Sequence, residues 1–183
     1  AGVGLSPCIT RDQIWTDSAL HFIDDFFNSA YYDREQGQKP LLLKLSLLQP
    51  HYPYQTDHEK FTYYLNRVNP YLNQNVFEHP FLRQRCVIPG KDVSERELRR
   101  AVAAYYGMVE TIDDHYQSVL SALEHVGQNL DEWIIIYTSD HGEMLGDHGL
   151  LYKSTFLEPS INVPFIIYEP NGKQDKEKYS TNP

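Results

Sequence analysis

The run "WIIIYTSD" (133–140) leads into Asp140-His141-Gly142; Asp-His-Gly returns at Asp147-His148-Gly149, and a lone lysine, Lys153, follows. A carboxylate and an imidazole side by side are donors for a divalent cation. Consecutive strand residues point to opposite faces, so Asp140 and His141 reach one ion only where the chain is already leaving the strand. Gly142 is expected to permit that turn by adopting backbone angles other residues avoid. An ammonium near a metal suits a tetrahedral oxyanion, whose developing charge one positive group does not neutralise alone. Lys153 is the candidate for that ammonium. His51, just after the apolar run "LLLKLSLL" (41–48), is a candidate to donate to the same oxyanion or to protonate a leaving oxygen.

Each residue also has a plainer reading: Asp140 as a cap, His141 and His51 as packed loop residues, Lys153 as a surface lysine. The combination is what points to metal-assisted chemistry. Two ligands leave a coordination sphere unfilled, since calcium takes roughly six to eight oxygens. Asp24-Asp25 and Asp113-Asp114 fall within helical patterns and read as helix surface or structural hydrogen bonds. The second Asp-His-Gly follows no strand and reads as loop-shaping, with His148 a substrate contact. Glu143 is a weaker candidate still. His21, His58, His79, His115 and His125 carry no ligand spacing.

The elements that must position these residues can be read from periodicity. Apolar residues at Trp15, Ala19, Phe22, Ile23, Phe26 and Phe27 predict a helix from Asp12 to Asn28, capped by Thr10 or Asp12. Residues 41–48, short, apolar and bounded by prolines, predict a core strand. Residues 51–93 carry Pro53, Pro70, Pro80 and Pro89 and predict a long irregular excursion with a short helix. "SERE" at 94–97 is a capping box opening a long helix whose apolar positions alternate four and three apart, from Leu98 to Val126, with Gly127 closing it. Such a pattern also fits a coiled coil, but the strand that follows favours a helix packed across a sheet. "WIIIYTSD" and "VPFIIYEP" predict two further strands with a short helix between them, and 171–183 is a polar tail. This order argues for one α/β domain with a largely parallel sheet flanked by helices. Ligands in such sheets bind at the carboxyl ends of strands, where both His51 and Asp140-His141 fall.

Composition limits the partners. Sixteen Lys and Arg against 25 Asp and Glu give a net charge of -9, which disfavours nucleic acid and anionic membranes. A small anionic substrate remains compatible, because a bound metal or a lysine sets its own local field. Hydrophobics at 41% and 14 tyrosines indicate a globular chain. Cys8 and Cys86 have no metal-type spacing and leave open a disulfide or two thiols. The N-terminal "AGVGLSPCITRDQ" has neither an initiator methionine nor a signal-peptide pattern, and the chain reads as beginning within a longer protein.

Three segments together resemble the type I sulfatases of the alkaline phosphatase superfamily. They are "KPLLLKLSLLQPHYPY", "AYYGMVETIDDHYQSVLSALEHVG" and "YTSDHGEMLGDHGLLYKSTFLEPSINVPFII", in family order across roughly residues 12–170. The resemblance implies a partial sulfatase catalytic domain over 1–183, with Asp140 and His141 as metal ligands and with Lys153 and His51 on the sulfate group. It implies a divalent ion, calcium first, with manganese or magnesium as alternatives. The substrate implied is a small-molecule or saccharide sulfate ester. It also implies a secreted, periplasmic or lysosomal setting. Asp-His in place of the common Asp-Asn is similar to the iduronate-sulfatase and phosphonate-monoester-hydrolase branches.

One departure stands out. The family's Cys/Ser-x-Pro-x-Arg motif, source of its formylglycine nucleophile, is absent, since "SPCITR" (6–11) has the letters out of order. The aspartate pair that completes the family's metal site is absent too. This chain is therefore expected to be a fragment, inactive alone, whose partner is the missing N-terminal part of its own domain. In the intact protein, a metal-polarised formylglycine hydrate would attack sulfur, the ester oxygen would leave with acid help, and sulfate would then be expelled. A phosphonate monoester or phosphodiester hydrolase of the same superfamily is the near alternative, and a two-zinc pyrophosphatase-like enzyme a further one that leaves Lys153 without a role. A non-catalytic binding module is the alternative if these 183 residues are the whole protein.

Overall fold

The computed structural model describes residues 1–29, 40–72, 79–86 and 91–169. The elements, in order, are β1 (Gly2–Val3), α1 (Pro7–Asn28), β2 (Gln55–Thr56), α2 (His58–Leu65), α3 (Pro80–Arg85), α4 (Glu95–His125), β3 (Ile135–Thr138), α5 (Glu158–Ile161) and β4 (Phe165–Tyr168). The predicted polar tail lies outside the described residues.

The long helix α4 is the centre of the molecule. At 1.5 Å per residue its 31 residues extend about 46 Å. The capping box is complete: Glu97 N–H donates to Ser94 Oγ at 3.2 Å, and Ser94 N–H donates to Glu97 Oε2 at 2.9 Å. At the other end Gly127, at φ +82°, takes the left-handed position after the last turn. The amides of Gly127 and Gln128 return to the carbonyls of Glu124 and Leu123. One stretch of α4, with Val102, Ala103, Ala104 and Met108, buries against Tyr54, Phe61, Val68 and Leu145. Further along, Val119 and Leu123 pack with Ile23 and Phe27 of α1.

Helix α1 starts one and a half turns earlier than its apolar stripe predicts. Ser6 is the cap, accepting from Ile9 N–H at 3.3 Å, and Pro7 occupies the first turn, where a missing N–H costs nothing. The predicted caps, Thr10 and Asp12, lie inside the helix. Its buried line runs Cys8, Asp12, Thr16, Ile23 and Phe27, whereas Trp15 and Phe22 are exposed.

Residues 41–48 form no strand among the described residues. The segment is alternating all the same: Leu41, Leu43 and Leu45 pack on the α1–α4 cluster, while Leu42 is 91% exposed. Among the described residues no strand is paired with it in a ladder, so the core-strand prediction reduces to a half-buried extended run. The excursion at 51–93 is more regular than predicted, carrying β2, α2 and α3. Both cysteines are free thiols.

The chain thus has mixed α/β content, but the largely parallel sheet is not seen among the described residues. β1 pairs in parallel with β2, whereas β3 pairs antiparallel with β4, Ile135 opposite Tyr168. A parallel return needs a crossover of a dozen or more residues, usually a helix. Between β3 and β4 the only α-helix is four-residue α5, and the chain doubles back. All of β4 is exposed. No helix among the described residues is long and apolar enough to cross a membrane.

Candidate functional site

Strand β3 ends at Thr138, and the next four residues make the turn that carries the acid–imidazole pair. Ser139 Oγ donates to the carbonyl of His141 at 2.9 Å, and the N–H of His141 donates to Asp140 Oδ1 at 3.0 Å. His141 Nδ1 lies 2.9 Å from the carbonyl of Gly142. A carbonyl only accepts, so Nδ1 carries the hydrogen, and in the neutral ring Nε2 is left as a free donor atom for a ligand. That Nε2 stands 3.6 Å from Asp140 Oδ1, a separation one ion between them can span. The Asp140 side chain is 85% exposed.

Gly142 is required for a different reason than predicted. Its φ is not left-handed; instead, a Cβ there would lie 2.1 Å from the carbonyl oxygen of Pro159. The glycine lets α5 close against the turn, and its N–H donates to Ser160 O at 2.8 Å.

Beyond Gly142 the backbone is unusually contorted. Leu145, His148, Tyr152 and Ser154 all have positive φ, between 46° and 72°, in addition to Gly146 and Gly149. Non-glycine residues are uncommon there and carry a conformational cost, which concentrates at functional sites. The second Asp-His-Gly is a single 3-10 turn in which His148 Nδ1 lies 3.0 Å from Asp147 Oδ1. Lys153 sits between two left-handed residues. The Arg85 guanidinium of α3 fixes it by donating to the carbonyls of Lys153 at 2.6 Å and Ser154 at 3.2 Å. Among the described residues, no carboxylate pairs with the Lys153 ammonium.

Glu143 organises this loop from within. Its Oε1 accepts from the N–H groups of Leu145 at 3.1 Å and Tyr152 at 2.5 Å. Burial, and then the Glu143 charge, raise the Tyr54 hydroxyl far above the ordinary phenol range and the Tyr105 hydroxyl to about 12. Both rings therefore remain neutral phenols over the range in which proteins work.

His51 approaches the loop through aromatic rings. Its imidazole stacks on Tyr52 at 4.3 Å, and Tyr52 lies 4.7 Å from Tyr152, the neighbour of Lys153. His51 Nδ1 meets the Tyr52 carbonyl at 2.8 Å, which again leaves Nε2 as the outward atom. The structure therefore joins Asp140 to His141 directly and His51 to the Lys153 loop through two tyrosines. No hydrogen bond or ion pair links one set to the other. His148 is paired inside the loop. A cleft of about 510 Å³, lined in part by Arg67, Tyr71, Tyr105 and Glu143, includes none of the five predicted site residues.

Several site-shaping residues escaped sequence reasoning. Arg85 and Tyr52 have no motif. Asp12 did leave a trace, as an acid on the same helical face as Cys8 and Thr16.

The chemistry of the donor set fits a divalent ion, with one carboxylate and one imidazole whose tautomer is fixed from behind. It does not fill the sphere: among the described residues no three His, Cys, Asp or Glu side chains are grouped to hold one.

Comparison with known proteins gives a consistent picture. The family model described as "Sulfatase" matches residues 6–182. An arylsulfatase of Clostridium perfringens is 34% identical over 153 residues, covering 78% of this chain and 31% of the relative. A choline-sulfatase of Rhizobium meliloti is 29% identical over 179 residues, covering 92% and 34%. Among solved structures, the phosphonate monoester hydrolase of Agrobacterium radiobacter matches with a TM-score of 0.70 at 24% identity, over 93% of this chain and 35% of that one, a likeness of fold. The chain spans about a third of the length of the curated relatives it matches.

Proposed function

The chain belongs to the sulfatase family, and from that premise we propose that it supplies one metal-binding pair and the anion-holding residues of a sulfuric ester hydrolase. The observation that carries this reading is the Asp140–His141 pair, with His141 Nδ1 held by the Gly142 carbonyl and Nε2 left beside the Asp140 carboxylate.

Asp140 and His141 would hold a divalent cation, with the remaining donors drawn from outside the described residues. When bound, that ion would polarise an oxygen of the sulfate group and favour attack on the sulfur. Calcium is the ion the family resemblance puts first, while an imidazole ligand suits manganese better. Lys153, with its backbone fixed by Arg85 and no carboxylate paired with it among the described residues, would hold a sulfate oxygen. With Nδ1 turned to the Tyr52 carbonyl, His51 presents Nε2 to accept from or donate to the substrate or leaving oxygen. His148, with Nδ1 held by Asp147, would contact the substrate through Nε2. The substrate class is a small-molecule or saccharide sulfate ester, and the family resemblance favours a secreted, periplasmic or lysosomal setting over a cytoplasmic one.

The test is paired steady-state kinetics of the full-length enzyme on an aryl sulfate and an aryl phosphodiester, with metal content measured on the same samples. Preference for the sulfate supports the reading; preference for the diester moves the protein to the phosphonate and phosphodiester side of the superfamily. Asp140→Asn and His141→Ala should each lower metal occupancy and cut turnover at least about 100-fold. Variants that keep both the metal and the rate would remove the pair from the site.

A further inference from the structure

Asp12 is an acid in a place that stability alone would give to a hydrophobe. It lies within α1, on the buried face between Cys8 and Thr16, and is 0% exposed. Taking a carboxylate out of water is costly unless its oxygens are hydrogen-bonded, and replacing such a group by a well-packed apolar residue is often neutral or stabilising. Here both oxygens are used, and by one target. Oδ1 accepts from Leu48 N–H at 2.7 Å and Oδ2 from Gln49 N–H at 2.8 Å, 36 and 37 residues away in sequence.

Those two amides are the last before the Pro50-His51 dipeptide. Residues 41–48 have no ladder among the described residues, so no neighbouring strand holds this end of the segment. The Leu48 peptide is gripped twice, since its carbonyl also accepts from the His51 N–H at 2.9 Å. The path from the buried carboxylate to the imidazole is therefore short and rigid: Asp12 fixes Leu48 and Gln49, Leu48 fixes the His51 backbone, and the Tyr52 carbonyl fixes the ring.

We propose that Asp12 is a positioning residue for His51, setting the place of its imidazole through a two-point grip on the turn that carries it. The proposal rests on the reading above, in which His51 touches the ester. It adds a residue that contacts neither substrate nor metal, and it predicts that the influence of Asp12 on turnover passes through His51 alone.

A double-mutant cycle in the full-length enzyme tests this. Asp12→Asn keeps the size and one accepting oxygen, but turns an NH2 group toward a backbone N–H, so one bond of the grip is lost. It should lower kcat about tenfold to a hundredfold, with a smaller change in KM. In a His51→Ala background the same substitution should change kcat less than about twofold, because little is left to position. Asp12→Glu retains charge and both acceptors while shifting the grip by one methylene. It should give an intermediate loss with the same dependence on His51, and it serves if the asparagine variant does not fold. Equal penalties with and without His51 would make Asp12 a general structural residue and overturn the proposal. So would an Asp12→Asn enzyme with wild-type kcat, or a His51→Ala enzyme with none of its activity lost. Failure of the sulfatase reading shows separately, in the wild-type choice between sulfate and phosphodiester, and the cycle is run on whichever ester is turned over.

Discussion

Helix α4 and the loop from Ser139 to Ser160 meet at Leu145, which packs into the same core as Val102 and Met108, yet the two are specified in opposite ways. Along α4 every local preference agrees with the outcome: a complete capping box, a buried apolar face, and a glycine in the left-handed position after the last turn. In the loop the local preferences are overridden. Four non-glycine residues are left-handed there, each at a cost of roughly 1–3 kcal/mol. What holds them is tertiary: Arg85, distant in sequence, on the Lys153 and Ser154 carbonyls, and, within the loop, Glu143 on Tyr152 and Ser160 on Gly142. A helix that specifies itself acts as a platform, and the loop that cannot specify itself carries the residues proposed for the chemistry.

The comparison breaks most easily at the shared core. Met108 is fully buried, and Met108→Ala should cost about 2–5 kcal/mol, read as a drop in urea midpoint. The loss should be global, lowering the α4 and loop signals together; separate transitions would mean that the loop does not depend on its platform. Gly142→Ala should cost about 1–3 kcal/mol, because the backbone at Pro159 must shift to admit the new methyl. Its mark should be local, with reduced metal affinity by calorimetry and unchanged helical circular dichroism. Ser154 sharpens the contrast further. At φ +72°, Ser154→Val should destabilise by about 1–2 kcal/mol, whereas Ser154→Gly should stay within about 0.5. Equal costs in thermal melts would show that the left-handed backbone beside Lys153 is not maintained.

The same contrast explains what was legible in the sequence. α4, β3, α5 and β4 were readable because periodicity and caps are local. Asp140 and His141 stood out because residue type alone marks candidate ligands in a turn after an apolar run. The start of α1 was hidden by weighing the apolar stripe above the Ser6-Pro7 pair, itself a strong start marker. The run at 41–48 looked like a core strand because it is short, apolar and bounded by prolines, but a ladder depends on a neighbour that no run of residues can announce. For Gly142, only the position of Pro159 reveals that the constraint is room rather than backbone angle. Asp12 and Arg85 act on peptides 36 and 68 residues away; Arg85 has no local mark, and Asp12 only its place on the helical face of Cys8 and Thr16.

The smallest effect tests the self-specification of α4 most directly. The Ser94 backbone N–H and then its hydroxyl donate to the Glu97 carboxylate, holding its pKa below the ordinary glutamate range. A carboxyl depressed in the folded state contributes stability above its unfolded pKa and loses it as pH falls through the folded one. The contribution should therefore be complete above about pH 5 and fade below about pH 4. Glu97→Gln keeps an amide oxygen for the Ser94 N–H, so the box survives without a titrating group. Amide exchange in the first turn of α4 should speed up on acidification in the wild type and stay level in the variant. Because Glu97 is exposed to solvent, the difference should be slight and confined to that turn. Parallel profiles for the two proteins would mean that the carboxylate does not set the helix start, and that α4 too relies on its neighbours.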